Sequence, residues 1–143
     1  IVNKGEVKNL ARLGDALLNF AFSLALSLVT GKPQGIKVPD ELLAKSAKMI
    51  NLKSRIRGCK GIESADLVEA LVAAAWLSNV ISLNELVLKL TRGVDVLMLL
   101  YHNMQEDVFV KNLASILDEI VEEVDIDLCA EDFILHLRRK LES

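Results

Sequence analysis

Near the start of the chain, Leu10, Leu13, Leu17, Leu24 and Leu28 return at intervals of three, four and seven residues. That is the spacing of one face of an α-helix, and no stretch of the chain sustains the two-residue alternation of a half-buried strand. Phe20 and Phe22 widen the apolar surface of the helix expected over residues 6–28. Hydrophobic residues make up 52% of the 143 residues but aromatic ones only 4%, so the core must be built from Leu, Val, Ile and Ala. Leu and Ala are among the better helix formers, and a chain of this length supports one core. The fold class expected is all-α.

The longest apolar stretch, residues 16–29, is broken by Asn19 and preceded by Arg12 and Asp15. At fourteen residues it falls short of the roughly 20 needed to cross a bilayer, and no small-residue cleavage site follows it. It reads as a buried core helix. Cys59 and Cys129 lie far apart without CxxC spacing, which makes them free thiols rather than zinc ligands. A cytoplasmic chain with no membrane partner is expected.

The segment 30–35 holds two glycines and a proline, which end the first helix and make a loop. Pro39 and Asp40 open a second helix, with Asp40 as its expected N-cap, Leu42, Leu43, Ala47 and Ile50 inward, and Lys45 and Lys48 outward. Ser64 is placed to cap a third helix over 65–77, whose many alanines allow close approach of neighbours. Ser82 and Glu85 have the spacing of a capping box before a fourth helix ending near residue 91. Helical periodicity returns over 94–101, 106–124 and 130–141. The organisation expected is a core over residues 1–93 and a helical extension over 94–143 packed on the same domain. His102 and His136 stand alone and read as surface or helix-end residues, Trp76 and Tyr101 as core anchors.

The net charge of −3 conceals a segregation. Residues 32–60 carry eight basic side chains against Asp40 and Glu41, whereas residues 94–143 carry twelve acidic and four basic ones. One reading is a face for a polyanion opposite a face for solvent or a protein partner; the other is two solvated faces of opposite sign.

Two acidic positions stand out. Asp15 follows Gly14 inside an apolar helix, where an ionised carboxylate is unfavourable unless paired or bound to a cation. Gly14 itself costs about 1 kcal/mol of helix stability relative to Ala, so something must pack or bind there. Asp66 and Glu69, three residues apart, share one face of the alanine-rich helix. If the first and third helices pack together, Asp15, Asp66 and Glu69 converge as oxygen ligands suited to magnesium or manganese. The competing reading gives Asp66 and Glu69 the ordinary task of opposing the helix dipole and leaves Asp15 at the edge of the apolar stripe.

The run Asn9-Leu10-Ala11-Arg12-Leu13-Gly14-Asp15-Ala16-Leu17-Leu18 resembles the signature helix of the ribonuclease III family, centred on Leu-Gly-Asp-Ala. Residues 65–77, with Asp66 three before Glu69-Ala70-Leu71, then small residues, Trp76 and Leu77, resemble its second motif. Residues 43–51 are similar to its middle basic helix, and residues 86–90 to the helix that closes its catalytic domain. The resemblance covers residues 7–91. It implies a ribonuclease III-like helical bundle with additional C-terminal helices, in a homodimer that uses Mg2+ or Mn2+ to hydrolyse phosphodiesters of double-stranded or structured RNA. Asp15, Asp66 and Glu69 then match metal-binding, catalytic carboxylates, and Lys45, Lys48, Lys53, Arg55 and Arg57 become RNA-contact candidates. The form resembled is the short archaeal or miniature one, without a double-stranded-RNA-binding domain. One departure is plain: the family's Glu four residues before the Asp is Ala11 here, and an acid often found earlier is Lys8. That departure keeps open a catalytically silent RNA-binding relative, and charge segregation keeps open a helical interaction protein.

Overall fold

The computed structural model describes residues 3–95 and 102–143, with residues 102–105 described by their backbone alone. The first helix, α1 (Lys4–Thr30), starts where the Glu6 N–H donates to Asn3 Oδ1 at 3.1 Å. It stops at Gly31, whose φ of 75° is open to glycine and whose N–H donates to the Ser27 carbonyl. A loop leads to α2 (Asp40–Met49) and the single turn α3 (Leu52–Arg55). Pro39, in extended conformation, is the N-cap of α2, so Asp40 is the first helical residue rather than the cap. Next come α4 (Ser64–Leu77) and α5 (Leu83–Leu90). Glu63 rather than Ser64 is the N-cap of α4, and the Ser82–Glu85 capping box forms as the sequence indicates.

Two further helices follow, α6 (His102–Ile120) and α7 (Ala130–Glu142), and no strand occurs among the described residues. Of the helix expected over 94–101, Val94 and Asp95 are irregular and the remainder, Tyr101 included, lies outside the described residues, as does the His102 side chain. The helix expected over 106–124 sits four residues earlier at each end.

Nearly every side chain of α4 is buried, and α1 lies along it. α2 closes against α4 and α6, and α5 bridges α1 and α6. Leu10, Phe22, Leu43, Leu71, Leu86, Leu113 and Ile116 belong to one continuous hydrophobic cluster, in which the Phe22 and Phe109 rings meet at 5.4 Å. By length and composition α1 is apolar enough to cross a membrane; in this fold its buried stripe lines the core. α7 buries no residue. It rests on α1 and α4 through half-buried Phe133 and Leu137, with the Lys140 ammonium 5.2 Å above the Trp76 ring. Cys59 and Cys129 are both free thiols.

Candidate active site

At Gly14 the backbones of α1 and α4 are in direct contact. A methyl group there would lie 1.9 Å from the Glu69 carbonyl oxygen and 2.4 Å from its carbon. Glycine therefore lets the two backbones touch, and the touch sets Asp15 beside Glu69. Both open into a cleft of about 290 Å³ lined by Lys8, Ala11, Arg12, Asp15, Lys37, Asp40, Asp66 and Glu69. The three carboxylates singled out from the sequence are thus brought to one cleft.

Asp40 is a fourth that sequence reasoning assigned only to capping. With Pro39 at the cap, Asp40 is the first residue of α2 and lines the cleft. Its delivery depends on a row of polar residues along one side of α1. The Val38 N–H donates to Asn19 Oδ1 at 2.8 Å, the Ile36 N–H to Ser23 Oγ at 2.8 Å and the Gln34 N–H to Ser27 Oγ at 2.9 Å. Asn19 Nδ2 also donates to Asp15 Oδ1 at 3.4 Å, linking loop and site. Residues 15, 19, 23 and 27 recur at four, a signal the sequence carried in the open.

Glu69 is 5% exposed. Burial pushes its carboxyl up to about 8; Asp15, within hydrogen-bonding reach, and the charges of Asp15, Asp40 and Asp66 push the same way. A carboxyl in this position holds a proton near neutrality unless a cation answers the surrounding negative charge. The donor set, carboxylate oxygens without sulfur or imidazole, has the chemistry of a magnesium or manganese site. Among the described residues no three such donors close on one common point as they stand, so an ion would draw the carboxylates inward. The residues fit such an ion in kind.

The five basic residues singled out from the sequence lie apart from the cleft and divide into two groups. Lys45 pairs with Glu106 at 2.9 Å and Glu41 at 3.5 Å, and Arg55 with Asp118 at 2.7 Å and Glu122 at 3.5 Å. Glu106, Asp118 and Glu122 belong to the C-terminal half, so part of the segregated charge is paired at the protein's own surface. These partners raise the Lys45 and Arg55 side chains above their ordinary values, each chiefly through the hydrogen bond to its nearer carboxylate. Lys48, Lys53 and Arg57 are not in such pairs among the described residues.

A family model described as Ribonuclease III matches residues 8–126, from the first turns of α1 past the end of α6. No curated protein matches the chain. The family match extends well beyond residues 7–91, where the sequence resemblance was seen, and takes in the buried side of α6 with Phe109, Leu113 and Ile116. Seven helices among the described residues, no strand there, and a match over most of the length agree: the chain belongs to the ribonuclease III family.

Proposed function

We propose that this protein is a divalent-metal-dependent endoribonuclease that hydrolyses phosphodiester bonds in double-stranded or structured RNA, in the cytoplasm and as a homodimer. The observation that carries this reading is the cleft shared by Asp15, Asp66 and Glu69 where α1 and α4 touch, with Asp40 on its wall, in a chain of this family. Asp15, Asp66 and Glu69 are the residues that would hold Mg2+ or Mn2+. Such an ion, when bound, acidifies a water and neutralises charge gathering on the phosphate.

The chain's own groups contribute the rest. Glu69, buried and crowded by Asp15, Asp40 and Asp66, holds a proton while no cation is near and would give it up to serve as a ligand. Asn19 steadies Asp15 and the loop that delivers Asp40. Duplex RNA is recognised mainly through phosphates and 2′-hydroxyls, for which Lys48, Lys53 and Arg57 are open and Lys45 and Arg55 must exchange carboxylates for phosphates. Support for a homodimer comes from Phe20 and Leu28, exposed on the α1 side that also carries half-buried Leu13, Leu17 and Leu24. A second copy laid there would remove apolar surface from water.

The test is cleavage of duplex RNA in magnesium or manganese by the wild type and by Glu69→Gln. Cutting by the wild type with a loss of at least about 100-fold in the variant is expected; failure of both to cut any structured RNA removes the enzyme reading. A second reading is favoured by Ala11, buried on the cleft wall where the family has Glu. It is an RNA-binding relative without activity, and it predicts metal-independent binding and no cleavage.

A further inference from the structure

The cleft is walled by cations as well as floored by acids. Lys8, Arg12 and Lys37 line it together with Asp15, Asp40, Asp66 and Glu69. All three cationic side chains are exposed, and among the described residues none forms an ion pair or hydrogen bond. Elsewhere on the surface Lys45, Arg55 and Lys89 each reach a carboxylate of α6, whereas among the described residues Lys48, Lys53 and Arg57 stand unpaired as these three do. What sets Lys8, Arg12 and Lys37 apart is that they share one cleft with four carboxylates.

Their backbone attachments hold them apart. Lys8 and Arg12 stand one turn from each other on α1, with Asp15 on the next turn of the same side. Lys37 comes from a different segment, the loop pinned at Val38 by Asn19. Ala11, between Lys8 and Arg12, places only a methyl group on the wall and leaves the space open. A phosphodiester is the complement of this arrangement. Its non-bridging oxygens carry the charge and seek donors at the rim, while the bond to be cut faces the floor. Arg12 offers a planar fork to two such oxygens, and Lys8 and Lys37 act as mobile point charges.

We infer that Lys8, Arg12 and Lys37 form a phosphate-binding rim that seats the RNA backbone over Asp15 and Glu69. This rests on the hydrolytic reading given above for the choice of polymer, and it moves the principal phosphate contacts to residues outside the basic segment 32–60, Lys37 excepted. Each neutralised phosphate contributes about 0.7–0.9 to the slope of log affinity against log salt.

The experiment is fluorescence anisotropy of a labelled RNA duplex with the full chain in EDTA, across a potassium chloride series. It compares wild type, the triple variant Lys8→Ala/Arg12→Ala/Lys37→Ala, the same triple to Gln, and Lys48→Ala/Lys53→Ala/Arg57→Ala. Thermal melts confirm folding, and the Gln set keeps the apolar stems should the Ala set melt early. A slope shallower by about two in both rim variants, with affinity at least about tenfold weaker at low salt, is the expected result. Wild-type slope and affinity in the rim variants overturn the inference, whatever the Lys48 set does. Rim-dependent binding without cleavage in magnesium keeps the rim and removes the hydrolytic reading; cleavage with rim-independent binding does the reverse. A wild type that binds no duplex removes both.

Discussion

Gly14 and Glu69 fix each other. The glycine is required because the Glu69 carbonyl occupies the space of a side chain, and Glu69 is buried because the two helices meet there. Gly14→Ala should therefore destabilise by about 3 kcal/mol or more, since the obstacle is backbone and cannot rotate away. Gly35→Ala, with nothing within 4 Å of the added methyl, should change stability by less than about 0.5 kcal/mol; urea denaturation of both compares them directly. Glu69 also makes stability depend on pH. Its carboxyl rises from 4.5 to about 8 on folding, so the folded protein binds that proton more tightly than the unfolded chain. The contribution is fully present below pH 4.5 and is lost as pH rises toward 8, an effect on the order of a few kcal/mol. In EDTA, Glu69→Gln should be more stable than wild type at pH 9 and should flatten the fall between pH 5 and 8. Parallel pH profiles would count against the buried, crowded carboxyl. Asp15 and the Asp66–Glu69 pair were legible because an acid in an apolar helix is anomalous. Asp40, Lys8, Arg12 and Lys37 were not, because each looks like any solvated surface residue until the fold gathers them.

At the scale of the elements, α1 serves two structures at once. Its side with Leu10, Leu18, Phe22 and Leu26 enters the core, while Leu13, Leu17 and Leu24 of the expected leucine stripe are only half-buried and Leu28 is exposed; its side with Asp15, Asn19, Ser23 and Ser27 grips the loop before α2. Asn19→Ala removes the partner of the Val38 N–H and the donor to Asp15. We expect about 1–2 kcal/mol lost in thermal denaturation and, because Lys37 and Asp40 follow that anchor, weaker RNA binding by anisotropy. Full binding with lowered stability would make the anchor merely structural. Helix existence was readable from leucine spacing, glycines and the Ser82–Glu85 box. Boundaries were less so: Pro39 displaced Asp40 from the cap of α2, and α6 begins four residues before its apolar period becomes plain.

Across the whole molecule, the opposite charges of the two halves meet in part. Acids of α6 face Lys45, Arg55 and Lys89. These pairs are largely solvated and contribute little to stability, whereas the other side of α6 supplies Phe109, Leu113, Ile116 and Leu117 to the common core. α7 differs in kind, since none of its residues is buried. Ending the chain after Cys129 should cost about 2 kcal/mol, from half-buried Phe133 and Leu137 and the Lys140–Trp76 contact. Urea denaturation should still show one cooperative transition; its loss would mean that α7 is integral to the core. Charge counting along the chain revealed the asymmetry but not its internal pairing, which depends on contacts about sixty residues apart.

The proposed chemistry depends on Asp15, Asp66 and Glu69 acting as one carboxylate site for a hard cation. Calorimetric titration of Mn2+ into the wild type, Asp15→Asn, Asp66→Asn and Glu69→Gln tests it most directly. Saturable binding by the wild type is expected, weakened at least about tenfold in each variant, with proton release near pH 7 that is absent in Glu69→Gln. Equal Mn2+ binding by all four proteins, or none by the wild type, would contradict it.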